Sequence, residues 1–192
     1  MNPGHYLAGE FWPCFHLVAD GCSRILEIGC GSGQNLRCLP GAVLRVGVEI
    51  EESYPDRTAD PRIVYFIGDG LEVARYFAKG SFDLVLLIDV VEHFPNDLGQ
   101  QLLSEAIVLG RKVLVWMPEG NCPQDEEHYE GPLPYRPSQN HLSQWQPEEL
   151  EQLGFDVARW PNYHWNRVTG EKDVAALFAV HHGALAEAEG AK

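Results

Sequence analysis

Short apolar segments with the pattern of β-strands alternate with helix-forming segments along most of this 192-residue chain. Such alternation is typical of parallel strands that are joined by crossover helices. We therefore predict an α/β fold: a single doubly wound, Rossmann-like domain with a mostly parallel seven-stranded sheet and helices on both faces. The predicted strands are 24–28, 44–49, 62–67, 82–88, 112–117, 155–160 and 175–181, and the predicted helices are 6–19, 36–39, 52–59, 71–78, 96–108 and 147–153.

The alternation is interrupted between residues 118 and 145, where prolines recur without any hydrophobic period. Long irregular loops in compact domains are usually functional, so we expect this segment to face the substrate. The domain is predicted to span residues 1–182. The Ala-, Glu- and Gly-rich segment 183–192 is predicted to be a flexible tail.

The charge balance limits the partners of the chain. Acidic residues outnumber basic ones 28 to 14, which gives a net charge of -14 that repels nucleic acids and anionic lipids. The longest apolar run, 84–91, is interrupted by Asp89 and is too short to span a membrane. The N-terminus shows no basic region of a secretory signal, and the five cysteines lack C-x-x-C spacing. We expect a cytoplasmic protein with a small-molecule substrate; the oligomeric state is not indicated.

Residues 24–33, R-I-L-E-I-G-C-G-S-G, predict a strand that runs into a glycine loop before a helix. Glycines there let the backbone turn tightly and let a ligand approach the end of the strand. Glu49 ends the next predicted strand, where an acid can accept hydrogen bonds from ribose hydroxyls. A nucleoside-containing cofactor is therefore indicated. The dinucleotide fingerprint would need Gly or Ala at the position of Gln34, and the carboxylate of Glu27 suits a positively charged ligand better than a pyrophosphate.

With these motifs the chain resembles the class I S-adenosylmethionine-dependent methyltransferases. The first motif of that family is matched by L-E-I-G-C-G-S-G at 26–33, and the similarity continues in G-D-G at 68–70 and in D-V-V-E-H at 89–93, spanning residues 25 to about 117. The resemblance implies that Glu27 and the glycines surround the methionine part of the cofactor, Glu49 holds the ribose, and Asp69 with Gly70 meets the adenine. Alternatively, Asp69 could cap the helix that follows it, and capping and ligand contact need not exclude each other. The full set of cofactor-binding residues implied is Glu27, Gly29, Cys30, Gly31, Gly33, Glu49, Ile50, Asp69, Gly70, Asp89 and Val90.

Methyl transfer to a hydroxyl needs a base, or a metal that stabilises the oxygen anion. Glu92, His93 and, from the long loop, His141 are our candidate catalytic residues. The D-V-V-E-H segment is similar to the E-V-L-E-H segment of ubiquinone-biosynthesis O-methyltransferases and of small-RNA 2′-O-methyltransferases, in which two acids and the histidine bind a divalent metal. Here Asp89 replaces the first Glu, and the later histidine of the RNA enzymes could be His128 or His141. Metal-free members of the class also carry D-V-x-E-H, so a divalent metal is an alternative and not the favoured prediction.

The aromatic residues near these motifs could have either of two roles. Trp145 could contact the substrate or pack the loop. Tyr6, Phe11 and Trp12 could form a lid over the cofactor, although an aromatic stripe at helical spacing is more often part of the core.

The function predicted from the sequence is an S-adenosylmethionine-dependent methyltransferase acting on a small-molecule or sugar-like acceptor, with oxygen as the favoured acceptor atom. Two alternatives remain open: a catalytically silent methyltransferase-like binding or regulatory module, and a metal-dependent RNA 2′-O-methyltransferase. A nicotinamide-dependent dehydrogenase is disfavoured by Gln34.

Overall fold

The computed structural model describes residues 11–52, 54, 60–129, 134–166 and 168–183. These residues form one sheet with helices packed against it. The helices are α1 (Phe11–Ala19), α2 (Gln34–Arg37), α3 (Asn96–Leu109) and α4 (Pro147–Gln152). The strands are β1 (Arg24–Ile28), β2 (Leu44–Glu49), β3 (Ile63–Ile67), β4 (Leu84–Ile88), β5 (Lys112–Pro118), β6 (Asp156–Asn166) and β7 (Glu171–His182).

The seven strands form a single sheet in the order β3-β2-β1-β4-β5-β7-β6. Strands β1 to β5 pair in parallel, whereas β7 pairs antiparallel with both β5 and β6. The sheet is thus mostly parallel and doubly wound, which confirms the predicted fold class. The carboxyl ends of β1, β2, β3, β4 and β5 lie at one edge, where open α/β sheets bind their ligands.

Strand β4 is the centre of the core. Leu84, Val85, Leu86 and Leu87 are all fully buried, as expected of a parallel strand that is covered on both faces. One hydrophobic cluster joins one face of the sheet to α3 and α4, and a second joins the opposite face to α1 and α2. The aromatic ring of Phe11 in α1 lies 4.9 Å from that of Trp116, so Phe11 belongs to the second cluster. Tyr6 lies outside the described residues.

Several predicted boundaries were wrong. The predicted helix 71–78 is a 3-10 helix over Gly70–Arg75, and most of the predicted helix 52–59 lies outside the described residues. Strands β6 and β7 are much longer than 155–160 and 175–181, and together they form a hairpin that projects beyond the sheet. Throughout the described ranges, every helix is too short or too polar to span a bilayer.

Candidate functional site

The glycine loop after β1 has a backbone that only glycine accommodates. Gly29 has φ of +70°, and a Cβ atom at this position would lie 2.3 Å from Cγ2 of Val90. Gly33 has φ of +77°, and its Cβ would lie 2.1 Å from the hydroxyl oxygen of Tyr65. Positive φ is costly for any residue with a Cβ, and a side chain would also clash with the neighbouring residues. Because these positions carry no side chain, the backbone of the loop is accessible to a ligand at the end of β1.

Glu49, at the end of β2, is tied to this loop. Its Oε2 accepts a hydrogen bond from the backbone N–H of Gly31 at 2.8 Å, and its Oε1 accepts one from the N–H of Glu51 at 3.0 Å. A carboxylate offers about four lone-pair sites, so sites remain for two hydroxyls. Two backbone N–H groups thus fix the orientation of the Glu49 carboxylate at the end of β2.

Glu27, on β1, is buried beneath the loop. Its Oε1 accepts a hydrogen bond from Nδ2 of Asn35 at 2.6 Å, and its Oε2 has no partner among the residues that the structure describes. Burial raises the pKa of Glu27 to about 8. The side chain is therefore an inner support of the loop and does not line the adjacent cavity.

A cavity of about 270 Å³, the glycine-loop cavity, opens between the carboxyl ends of β1, β2, β3 and β4. Most of the predicted cofactor-binding residues line it, but Glu27, Cys30 and Gly33 do not. Its predicted lining residues are Gly29, Gly31, Glu49, Ile50, Asp69, Gly70, Asp89 and Val90. Sequence reasoning missed Glu51, Tyr54, Ser138 and Gln139, which also line it.

Asp69 follows β3, where it caps a helix and also lines the glycine-loop cavity. Its Oδ1 accepts a hydrogen bond from the backbone N–H of Leu71 at 2.9 Å, which caps the 3-10 helix over Gly70–Arg75. The same residue lines the glycine-loop cavity. Helix capping therefore orients Asp69 at the site without removing it from a ligand's reach.

The turn after β4 brings Asp89 to the centre of the site. Asp89 has φ of +52°, a left-handed conformation that is strained for a residue other than glycine and is often found at functional sites. Asp89 and His93 line both the glycine-loop cavity and a second cavity beside it.

His93 and His141 are each held by a backbone carbonyl. Nδ1 of His93 lies 3.1 Å from the carbonyl oxygen of Asn140, and Nδ1 of His141 lies 2.5 Å from that of Cys122. A carbonyl oxygen can only accept, so each Nδ1 carries the proton and the Nε2 of the neutral ring keeps its lone pair. Burial lowers the pKa of His93, which favours this neutral form.

Glu92 completes a cluster with these two histidines. One ligand atom from each of Glu92, His93 and His141 lies within 4.8 Å of the others. Glu92 is only 2% exposed, and neither of its carboxylate oxygens has a hydrogen-bond partner within the described part of the chain. Burial, and after it the charge of Asp89, raises the pKa of Glu92 well above its usual range. The backbone carbonyl of Glu92 accepts from the N–H of Leu142 at 2.7 Å, which fixes the long loop beside it.

The later histidine of this cluster is His141, not His128. Nδ1 of His128 instead lies 2.6 Å from the carboxylate of Asp125, and His128 lines neither cavity. Asp89 is not a member of the cluster. Trp145 is fully buried and donates to Ser143 Oγ at 2.8 Å, so it packs the loop and does not contact a substrate.

The second cavity, of about 280 Å³, is called the hairpin cavity because the β6–β7 hairpin forms one wall. It is lined by Asp89, Glu92, His93, Pro118, Cys122, Gln124, His141, Tyr163, His164 and Trp165. The three hairpin residues were missed because the predicted strand ended at residue 160. Alternation in N-Y-H-W-N at 162–166 was the signal that could have revealed them. All three catalytic candidates line this cavity, and its described lining contains no Lys or Arg.

Comparisons with known proteins agree with this geometry. Residues 25–111 match the model of a methyltransferase domain family. A SAM-dependent methyltransferase from Archaeoglobus fulgidus has 20% identity and a TM-score of 0.63, covering 93% of this chain and 94% of its own. The PH0226 protein of Pyrococcus horikoshii OT3 has 19% identity and a TM-score of 0.62, covering 90% and 87%.

A third similar structure is the N-terminal domain of EvdMO1, determined in the presence of SAH and D-fucose. It has 20% identity and a TM-score of 0.60, covering 89% of this chain and 80% of its own. The curated proteins contain no sequence match to this chain.

Proposed function

We propose that the chain is a class I S-adenosylmethionine-dependent methyltransferase that methylates a hydroxyl of a small, polar, sugar-like acceptor; the match of residues 25–111 to a methyltransferase domain family supports the activity. The observation that carries the proposal is the wall shared by the two cavities. Asp89 and His93 line both the glycine-loop cavity, which suits the cofactor, and the hairpin cavity, which suits the acceptor. A methyl group that leaves one cavity can therefore enter the other directly.

The reaction needs positioning and one proton acceptor. The methyl carbon leaves the sulfonium sulfur as its bond to the acceptor oxygen forms, and the hydroxyl proton must then be taken up. We assign that uptake to Nε2 of His93, which is neutral and lies on the shared wall. His141 and Glu92 line the hairpin cavity and would orient the acceptor hydroxyl.

The composition of the hairpin cavity supports a neutral acceptor. Its described lining offers carboxylates, imidazoles and the aromatic rings of Tyr163 and Trp165, but no cation to pair with a phosphate. The net charge of -14 acts in the same direction and disfavours a nucleic acid. D-fucose, present in the EvdMO1 structure, is a sugar and so falls within the proposed acceptor class.

The test is a radiolabelled methyl-transfer screen with sugars, sugar phosphates, phenols and an RNA duplex as acceptors. Transfer to a hydroxyl of a neutral sugar or polyol supports the proposal. Transfer only to nitrogen, to a phosphorylated acceptor or to RNA would overturn it. Binding of S-adenosylhomocysteine without transfer to any acceptor would favour the silent binding module.

A metal-dependent version of the same reaction is the second candidate. The residues fit a divalent ion: Glu92 presents two buried oxygens that have no hydrogen-bond partner among the described residues, and both histidines present Nε2 because Nδ1 is bound to a carbonyl. Carbonyl bonds of this kind orient histidines that bind metals. A divalent ion held by Glu92, His93 and His141 would act as a Lewis acid on the acceptor oxygen.

Metal dependence is tested separately from the acceptor. Calorimetry with Mn²⁺ on the EDTA-treated protein, compared with a Glu92→Gln variant, measures the ion without reference to turnover. Binding at micromolar concentration that Glu92→Gln abolishes supports the second candidate. Full transferase activity in EDTA would leave the metal-free reaction as the function.

A further inference from the structure

Glu51 connects the ribose-binding acid to the long loop. Its backbone N–H donates to Oε1 of Glu49 at 3.0 Å, as described above. Its own carboxylate is only 13% exposed and lies 3.1 Å from Nε of Arg136, and it accepts a hydrogen bond from Oγ of Ser138 at 3.2 Å. One residue therefore holds Glu49 through its backbone and holds the loop through its side chain.

The same stretch of loop reaches the catalytic histidine. Ser138 and Gln139 line the glycine-loop cavity, and the next residue, Asn140, accepts the hydrogen bond from Nδ1 of His93. Nε2 of Gln124 donates to the carbonyl oxygen of Gln139 at 2.8 Å and holds this stretch in place. Movement of residues 136–140 would therefore change both the wall of the cofactor cavity and the orientation of His93.

We propose that Glu51, Arg136 and Ser138 are positioning residues that slow the release of the bound cofactor and keep the His93 ring oriented beside it. The inference rests on the assignment of S-adenosylmethionine to the glycine-loop cavity. With the ion pair formed, residues 138 and 139 form part of the cavity wall, so the cofactor dissociates more slowly. Arg136 also compensates the negative charge that Glu51 adds beside Glu49.

The experiment measures the dissociation rate of S-adenosylhomocysteine from the full-length protein by stopped-flow displacement. Arg136→Gln and Glu51→Gln should each accelerate dissociation about three- to fivefold, the range expected for a partly exposed ion pair. Arg136→Lys should restore part of the wild-type rate, because it keeps the charge. The double variant should be no faster than either single variant. Added salt should accelerate dissociation from the wild type and not from Arg136→Gln.

Arg62→Gln is the matched control. Arg62 forms an ion pair with Asp60 at 2.8 Å and lines neither cavity, so its loss should leave the dissociation rate unchanged. Ser138→Ala removes one hydrogen bond to Glu51 without a charge change and should accelerate dissociation less. It also provides the test if Arg136→Gln does not fold.

The results separate this inference from the proposed function. A wild-type protein that binds no S-adenosylhomocysteine would overturn the cofactor assignment itself. Normal binding, with equal dissociation rates for the wild type, Arg136→Gln, Glu51→Gln and Ser138→Ala, would overturn only the positioning role.

Discussion

The imidazole rings of His93 and His141 lie edge to face, with centroids 5.0 Å apart and planes inclined by 70°. They come from the turn after β4 and from the long loop, and each is oriented by a hydrogen bond from Nδ1 to a backbone carbonyl. Their positions differ in one respect. His93 lines both cavities, whereas His141 lines only the hairpin cavity.

This difference predicts the effect of His141→Asn. Turnover should fall roughly a hundredfold, because the acceptor hydroxyl loses a group that orients it towards the methyl group. The dissociation constant of S-adenosylhomocysteine should stay within about twofold of the wild-type value, since His141 does not line the glycine-loop cavity. Steady-state kinetics and calorimetry measure the two quantities. His128→Asn, on the same loop but outside both cavities, should retain full activity.

Gly29→Ala tests the requirement for glycine at the end of β1. The added Cβ would lie 2.3 Å from Val90 at a φ of +70°, so we expect a loss of about 1–3 kcal/mol of stability and much weaker binding of S-adenosylhomocysteine. Gly41→Ala is the control, because nothing lies within 4 Å of its Cβ and its φ is not positive. Thermal unfolding and calorimetry report both effects. Normal cofactor binding by Gly29→Ala would contradict the account of the loop.

The sequence was most informative about the candidate site residues that lie at the ends of strands. The boundaries predicted for β1 and β2 were correct, because a glycine loop follows β1 and the charged Glu49 ends β2. Glu49, Asp69 and Asp89 follow parallel strands, and parallel strands bring their carboxyl ends to one edge. The family resemblance supplied Asp69 and Asp89, and the fold class is enough to place them with Glu49 at one edge of the sheet.

The hairpin cavity could not be predicted in the same way. The predicted strand 155–160 stops just before Pro161, yet β6 continues through this proline, because an edge strand tolerates a missing backbone N–H. The contacts of the long loop depend on packing between residues far apart in sequence, as in the pair Arg136 and Glu51. Only the structure shows that His141, and not His128, approaches His93.

Trp165→Ala tests whether the hairpin binds the acceptor. Trp165 is 59% exposed and lines the hairpin cavity, so its loss should raise the KM of the acceptor about tenfold through lost stacking. Cofactor affinity should not change, since Trp165 is absent from the lining of the glycine-loop cavity. Val168→Ala, at an exposed position near the hairpin turn and outside both cavities, provides the comparison. An unchanged KM for the acceptor would place its binding elsewhere.

The raised pKa of Glu27 should make the free energy of unfolding depend on pH, and a substitution of Glu27 should remove this contribution. Its pKa is about 8 in the folded protein, compared with 4.5 for an ordinary glutamate. At pH values between these two pKa values, Glu27 is therefore protonated in the folded state and ionised in the unfolded state. Stability is full below pH 4.5 and is lost as the pH rises towards 8, with a slope of at most about 1.4 kcal/mol per pH unit from this group.

Glu27→Gln keeps an oxygen that can accept the hydrogen bond from Asn35 but cannot ionise. We expect the variant and the wild type to have similar unfolding free energies near pH 4.5, with the variant increasingly more stable up to about pH 8 and the difference constant above that. Urea titrations at half-unit pH intervals measure this difference. Glu126→Gln, on the exposed part of the long loop, controls for the loss of one negative charge from a chain of net charge -14. A Glu27→Gln variant whose stability follows the wild-type pH profile would show that Glu27 is ionised in the folded protein, and the carboxylate would then need a cationic partner at the glycine loop.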